Sequence, residues 1–440
     1  MRAIGRIARL KLRKTDRDVL RALRFIVSDA AEHVPFYRVA FSRAGVGPEA
    51  LRRIEDLRRF PITDKRALFA SGETLHLREG ANERSLDRRS TSGTQGRPLT
   101  VYANRSEALF RKVTLLDSFR RSVRLRFPLT IADVGAYTQG SDIAQRLGLV
   151  RIKRIFRTTP LAEQAAAMSR LRPDVVEGRP SSLWALVAEA RRLGLDLPRP
   201  RVVISFAETL FPHVRAELNH AFGCRVADYY NCEEVGNVAW ECPRDPDRMH
   251  VNSATSVLEV VDEDGEPASR GQVGRVLLTN LFNTTMPFIR YEIRDRAALL
   301  DQTACSCGFR GTSIRLVEGR EEDFFLLPDG REISPRRVND IVFGLLPGEE
   351  IGNELFQVIE QFQIVQEDLD FVIVNVIPGP KYTRDLWRGI EESAKAVHPA
   401  LRVSVREVDV LELAPGGKFK PIISRVAREE PTDSSAASRT

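Results

Sequence analysis

Between Ser90 and Arg97 the chain reads Ser90-Thr91-Ser92-Gly93-Thr94-Gln95-Gly96-Arg97, with four hydroxyl side chains, two glycines and a basic residue in one run. Glycines let a backbone turn tightly and approach a ligand closely. Hydroxyls and exposed N–H groups then hydrogen-bond phosphate oxygens, and Arg97, or Arg89 just before the loop, adds charge. The spacing is not G-x-x-x-x-G-K-[ST], so the nucleotide-hydrolase loop does not apply. The competing reading is a Ser/Thr/Gly surface turn. Four further clusters carry chemistry. In Tyr229-Tyr230-Asn231-Cys232-Glu233-Glu234 a tyrosine can stack on a flat ring and a carboxylate can hold a hard cation such as Mg²⁺. Asp295 stands at the end of a strand pattern, where a carboxylate can accept both hydroxyls of a ribose; the alternative is pairing with Arg290 or Arg294. Pro415-Gly416-Gly417-Lys418-Phe419-Lys420 is a glycine-flexed loop able to deliver a lysine to charge developing on a transferring group. Cys242, His250, Cys305 and Cys307 make a complete Cys₃His ligand shell for zinc; the alternative is unrelated core cysteines.

Periodicity supplies the elements that must position these groups. Residues 16–34 read as an amphipathic helix with Asp16 as its cap, ended at Val34-Pro35. Short helices follow over 48–70, broken at Phe60-Pro61. From 105 to about 240 helices at 106–120, 161–171, 182–193 and 212–222 alternate with strands at 127–135, 174–178, 201–206 and 225–230. Such alternation predicts a helix-covered parallel sheet, with ligands beyond the carboxyl ends of its strands. Strands at 257–261, 273–279, 288–293 and 297–300 predict antiparallel sheet. A smaller α+β unit follows Gly319, with a hairpin around Pro328-Asp329-Gly330, a helix over 335–345, strands at 356–366 and 370–376, a helix over 386–397 and a strand at 401–410. The fold class is α/β: a large N-terminal domain of helix-covered sheets over 1–319, an α+β cap domain over 320–429 joined by a hinge at Gly319-Arg320-Glu321-Glu322-Asp323, and a disordered tail from 430 to 440.

Composition bounds the function. With 440 residues, 42% hydrophobic and 29% charged, the chain has the material for a globular core. The formal charge of +7 is spread among interleaved acids and bases, which argues against a nucleic-acid partner. No stretch reaches the roughly 18 apolar residues of a membrane span. The basic start has no apolar segment of the secretory type, and five cysteines are no disulfide framework, so a reducing, cytoplasmic setting is expected.

The loop, the Tyr–x₃–Glu, the strand-end Asp, the Gly-Arg junction and the Gly-Lys loop occur in one order that resembles the adenylate-forming superfamily of acyl-CoA ligases and adenylation enzymes. The resemblance spans roughly residues 20–427. It is nearest to the short phenylacetate–CoA ligase and capsule-biosynthesis branch, through Val34-Pro35-Phe36-Tyr37-Arg38, Phe60-Pro61-Ile62-Thr63-Asp64-Lys65, Arg172-Pro173-Asp174, Ala239-Trp240-Glu241-Cys242-Pro243 and Phe362-Gln363-Ile364-Val365-Gln366. It implies that ATP and Mg²⁺ activate a carboxylic acid, an aromatic one being expected, to an acyl-adenylate, which then passes to coenzyme A. Transfer to an amine, a sugar or a carrier-protein thiol is the alternative. Ser90, Thr91, Ser92, Gly93, Thr94, Gly96 and Arg97 would hold the triphosphate. Tyr229, Tyr230 and Asn231 would border adenine, with Ala207 and Glu208 between adenine and acid. Glu234 would bind Mg²⁺. Asp295 and Arg320 would hold the ribose, and Glu322 falls at the hinge. Tyr137 would line the acid pocket, and Lys418 would bridge carboxylate and α-phosphate. The branch often carries cysteines where Cys242, Cys305 and Cys307 stand, which favours structural zinc. The chain departs from the family at Arg97 for the customary Lys, Asn231 for Gly, Glu233 for Thr, Ser or Arg, and Arg294 for Gly.

Overall fold

The structure, a computed structural model, describes residues 15–72, 75–91, 98–123, 128–136, 145, 148–301, 305–320, 324–333, 335, 338, 341–342, 358–414 and 418–426. Contacts divide the chain into two units, Met1–Val317 and Glu318–Thr440.

In the first unit α1 (Asp16–His33) buries Val19, Leu23, Ile26, Val27 and Ala30. Its cap is Thr15, not Asp16: the Asp18 amide donates to the Thr15 hydroxyl at 3.3 Å while Asp18 takes the Thr15 amide at 3.1 Å. This reciprocal box uses the hydroxyl one residue before the acid, and Asp16 adds only favourable first-turn charge. Val34 is extended, and α2 (Pro35–Arg43) restarts with Pro35 in its first turn. After 3₁₀ turns at Pro48–Ala50 and Ile54–Arg59 comes α3 (Lys65–Ala70), capped by Asp64. Strands β1 (Asp87–Ser90) and β2 (Thr100–Ala103) pair antiparallel and bracket the glycine loop. Helix α4 (Arg105–Ser122) follows.

The chain then alternates β3 (Leu129–Ala136), β4 (Val150–Phe156), α5 (Leu161–Arg170), β5 (Val175–Gly178), α6 (Pro180–Arg192), β6 (Val202–Phe206), α7 (Pro212–Phe222) and β7 (Val226–Cys232). β4 escapes the periodicity because Arg151 and Lys153 are exposed and Arg154 half-buried; it is the sheet's edge, where charges discourage further pairing. Next come β8 (Gly236–Cys242), β9 (Asp245–Val251), β10 (Ser256–Val261), β11 (Val273–Asn280), β12 (Tyr291–Leu299) and β13 (Ser313–Arg320). β8 is buried along almost its whole length and β9 opens on Asp-Pro-Asp, so neither shows the alternation that marks a half-buried strand. β12 is one strand where two were expected, because Arg294 bends it with φ 62° without ending it. All eleven strands from β3 onward form a single sheet in the order β10-β11-β12-β13-β9-β8-β7-β6-β5-β3-β4. Its β4-to-β7 half is parallel, and β8 reverses direction against β7.

In the second unit β14 (Phe325–Leu326) and β15 (Glu332–Ile333) form the expected hairpin, with Gly330 at φ 82° in the turn. β16 (Ile359–Asp368) and β17 (Phe371–Pro378) pair antiparallel, α8 (Leu386–Val397) crosses to β18 (Arg402–Glu407), and β21 (Ile422–Ser424) closes a sheet of order β18-β17-β16-β21. Between them the two-residue strands β19 (Leu413–Ala414) and β20 (Lys418–Phe419) pair across the Gly-Lys loop. Most of the helix expected at 335–345, the first residues of the strand expected at 356–366, and the tail lie outside the described residues.

Candidate active site

Two N-terminal motifs clamp the segment that leads into Asp295. The Tyr37 hydroxyl donates to the Pro287 carbonyl at 3.1 Å and accepts the Ile289 amide at 3.0 Å, and burial holds its phenol protonated well above the usual range. Thr63 adds a one-residue rung: its amide donates to Arg290 O at 3.0 Å, its carbonyl accepts the Glu292 amide at 2.8 Å, and its hydroxyl donates to Ile289 O at 2.9 Å. Arg290 is buried and left-handed, φ 46°. Its guanidinium donates to the Phe60 carbonyl at 2.8 Å and pairs with Glu259 at 3.2 Å. Arg290 is therefore committed to Glu259 and the backbone. Asp295 meets the Tyr230 hydroxyl instead, at 2.7 Å. Asp295 stands in the middle of β12, just after the bend at Arg294, and not at a strand end as expected; a tyrosine bonded to such a carboxylate suits a ligand that offers both a flat ring and a sugar diol.

Arg294, beside Asp295, has φ 62°, the conformation glycine adopts without the roughly 1–2 kcal/mol cost of a Cβ. Arg294→Gly is thus expected to be neutral or to stabilise by up to ~1 kcal/mol, and the β-branched Arg294→Val to cost more than ~2 kcal/mol. Urea unfolding checks the order; the reverse order would count against a strained backbone here.

The turn between β7 and β8 carries the metal candidate. Glu234 is buried. Burial first, and the Glu234 charge second, push the Cys232 thiol and the Tyr291 phenol upward. A buried carboxylate is a hard oxygen donor and suits Mg²⁺. Its neighbour Glu233 is balanced by a residue that motif spacing did not reveal. Arg111 of α4, 8% exposed, donates to the Glu233 carbonyl and to its carboxylate, the latter at 3.3 Å. Arg89 stands 3.9 Å from the same carboxylate and 3.2 Å from Asp87. Burial first, then Arg89, lowers the Arg111 guanidinium, while Glu233, Cys232 and Glu234 raise it. Asn231 is held through Asn237, whose amide donates to it at 2.9 Å and in turn accepts from Asn252 at 3.0 Å.

Of the loop residues, Ser90 ends β1, and the Thr91 hydroxyl accepts the Leu99 amide at 2.9 Å, closing the loop at its base. Ser92, Gly93, Thr94, Gly96, Arg97 and Tyr137 lie outside the described residues, as do Glu322 and the Arg320 side chain. Ala207, just past β6, is left-handed at φ 68°, an outlier of the kind that collects at ligand sites. Glu208 accepts the Ser181 amide at 3.2 Å and stands 4.0 Å from Arg179, so it caps α6 where Arg179 offers no side-chain cap. Tyr229 faces inward: it is 2% exposed and meets Phe119 edge-on at 5.0 Å. In the second unit Lys418 opens β20 opposite Ala414. The buried Gln363 donates to the carbonyls of Glu412 and Lys420 at 2.9 and 2.8 Å, bracing that hairpin at both ends. Gln366 does likewise for β14, donating to Leu326 O at 2.7 Å. The Phe362–Gln366 motif thus reads as a pair of buried struts.

Cys242, His250, Cys305 and Cys307 converge, their ligand atoms all within 4.8 Å of one another. The Cys242 and Cys305 sulfurs are 3.4 Å apart and His250 Nε2 lies 3.1 Å from Cys307 Sγ. Ligands tetrahedral about zinc, with bonds of about 2.3 Å to sulfur and 2.0 Å to nitrogen, stand roughly 3.5–3.8 Å apart, so the set needs only small adjustment. Ser313 Oγ, 3.1 Å from His250 Nδ1, fixes the ring with Nε2 inward. Burial keeps the imidazole near 4, hence neutral, and pushes the Cys242 thiol to about 12; a cation is what makes such a thiol a thiolate. From Gly236 to Cys242 β8 runs roughly 20 Å at about 3.3 Å per residue, which separates this cluster from Glu234.

No family model matches this chain. A phenylacetate-coenzyme A ligase of Thermus thermophilus is 28% identical over 350 residues, 77% of either chain. The CapK protein of Staphylococcus aureus is 22% identical over 310 residues, 66% of this chain and 63% of its own length. Among solved structures, 2-hydroxyisobutyryl-CoA ligase in the postadenylation state with 2-HIB-AMP superposes with a TM-score of 0.77 at 20% identity, covering 93% of this chain and 89% of that one; at that identity the likeness carries the fold alone.

Proposed function

The chain belongs to the adenylate-forming superfamily, in its phenylacetate–CoA ligase and CapK-like branch, and on that footing we propose that it activates a carboxylic acid as its acyl-adenylate and transfers the acyl group to coenzyme A. A carboxylate is a poor electrophile because oxide would have to leave. Attack of its oxygen on the α-phosphate of ATP expels pyrophosphate, and AMP becomes the leaving group when the thiol attacks. The observation that supports the reading is the Tyr230–Asp295 bond together with the buried Glu234, a pair suited to a nucleoside and a carboxylate suited to a hard cation.

In this reading Asp295 accepts the ribose hydroxyls, Tyr230 borders the base, and Ser90, Thr91 and the loop through Arg97 contact the phosphates. Mg²⁺ on Glu234 would neutralise phosphate charge. Lys418 supplies positive charge in the first step. An aromatic acid is our choice of substrate class, on the strength of the phenylacetate-acting relatives. The Cys₃His cluster is proposed as a structural zinc site, closed by four protein ligands and hence without a catalytic position.

The test is ATP–pyrophosphate exchange over a panel of aryl and alkyl acids, followed by thiol consumption on adding coenzyme A. Acid-dependent exchange with coenzyme A-dependent thiol loss is expected. Exchange without thiol loss moves the acceptor to an amine or carrier protein, and exchange with no acid sinks the proposal.

A further inference from the structure

The acid-activating reading leaves three charged side chains on the main sheet without a task. Arg154, Asp133 and Glu177 stand side by side across β4, β3 and β5, in register with one another and then with Ile204 of β6. All three are half-buried. The level below them on the same face is Ile152, Ile131, Val175 and Val202, which pack with Phe119 of α4 in one apolar cluster. A charged row on an apolar face is costly to keep unless it is paired or used. This row is paired only in part. Arg154 Nε lies 3.9 Å from Asp133 Oδ2, too far for a hydrogen bond. Glu177 accepts no hydrogen bond from a described residue. Burial first and the Asp133 charge second push its carboxyl up to about 8, so near neutrality it holds a proton it would release to a cation.

The row lies where an acid's tail would end. Glu177 is level with Ile204, three residues before the left-handed Ala207. That is a depth of roughly 10 Å at 3.3 Å per residue, and one strand, about 4.8 Å, to the side. An acid whose carboxylate sits beyond the carboxyl ends of β5 and β6 would point its far end down onto Glu177. A negatively charged wall beside the carboxylate itself would repel it; at the opposite end of the molecule it recognises something.

We propose that Arg154, Asp133 and Glu177 form the far wall of the acid pocket and select an acid that carries a basic nitrogen at its distal end, such as an aminomethyl-substituted aryl acid. Glu177 accepts the N–H and Asp133 stands beside it as a second acceptor, while Arg154 opposes the upward push of burial on the Asp133 carboxyl. The inference rests on the acid-activating reading and on Ala207 bordering the acid.

The test is ATP–pyrophosphate exchange with matched pairs, phenylacetate against 4-(aminomethyl)phenylacetate and benzoate against 4-(aminomethyl)benzoate, in the wild type, Glu177→Gln and Glu177→Leu. The wild type should favour the nitrogen-bearing member by ~10-fold or more in kcat/KM, the size of one hydrogen bond to a charged group. Glu177→Leu should reverse the order by gaining the unsubstituted acid, and Glu177→Gln should lose preference without that gain. Leu at 177 extends the apolar cluster, so folding is retained, and thermal unfolding verifies it. A wild type that prefers the unsubstituted acids, or one ranking in all three proteins, overturns the inference and leaves the acid-activating reading standing. Exchange with no acid in any protein removes both.

Discussion

Cys305→Ser, or prolonged chelation of the wild type, should lower the unfolding temperature by roughly 10 °C and release one zinc per chain. The figure follows from a loss of about 5 kcal/mol at about 2 °C per kcal/mol for a domain of this size. Cys242 ends β8, His250 lies in β9, and Cys305 and Cys307 belong to the segment before β13. The cluster therefore cross-links three parts of the sheet. Phe309 stacks on His250 at 4.1 Å and meets Trp240 edge-on at 5.7 Å, and Trp240 is the rung opposite Tyr229. Loosening the cluster should therefore loosen the base of the hairpin that bears Tyr230 and Glu234. Exchange activity measured below the new unfolding temperature should be nearly retained, because the cluster lies at the opposite end of β8 from Glu234. Purified protein without bound metal, or chelation that leaves the melting curve unmoved, would remove the site.

Arg111→Ala should raise the KM for Mg·ATP by about 10–100-fold, the usual effect of removing a residue that orients a metal ligand. Arg111 holds both the carbonyl and the carboxylate of Glu233, the residue before the proposed Mg²⁺ ligand. Without it, Arg89, 3.9 Å away, is the cation left to balance the Glu233 carboxylate among the described residues. Arg111→Lys keeps the charge but not the fork that reaches both oxygens, and should fall between. Glu233→Thr should be mild in the wild type and should restore part of the loss in Arg111→Ala, a coupling of about 0.5–3 kcal/mol. The readout is exchange rate against Mg·ATP concentration. An unchanged KM in Arg111→Ala would reduce the guanidinium to a packing residue.

Much of this protein was legible in its sequence. Alternating helices and strands foretold the parallel half of the sheet. The order of short motifs foretold the superfamily, since each motif marks a local necessity: a hydroxyl-rich turn, an acid carried on a strand, a lysine in a hairpin. Local rules failed where a strand is buried on both faces, as β8 is, or charged along an edge, as β4 is. Nor do they say which of two adjacent tyrosines turns its ring to the core, because neighbours on a strand face opposite ways; here it is Tyr229.

What the chain could not declare locally is which distant residues meet. Tyr230 and Asp295 are 65 residues apart and lie on strands four rungs apart in the sheet. Flat, they would be separated by roughly 19 Å at about 4.8 Å per strand. Their 2.7 Å bond exists because the antiparallel half coils back on itself, and coiling accumulates from the twist of every strand pair, not from any one residue. Arg111 reaches Glu233 across 122 residues, and Cys242 reaches Cys305 across 63. The sequence determined the parts and their chemistry; only the tertiary structure, through the twist and closure of one long sheet, decided which parts form a site.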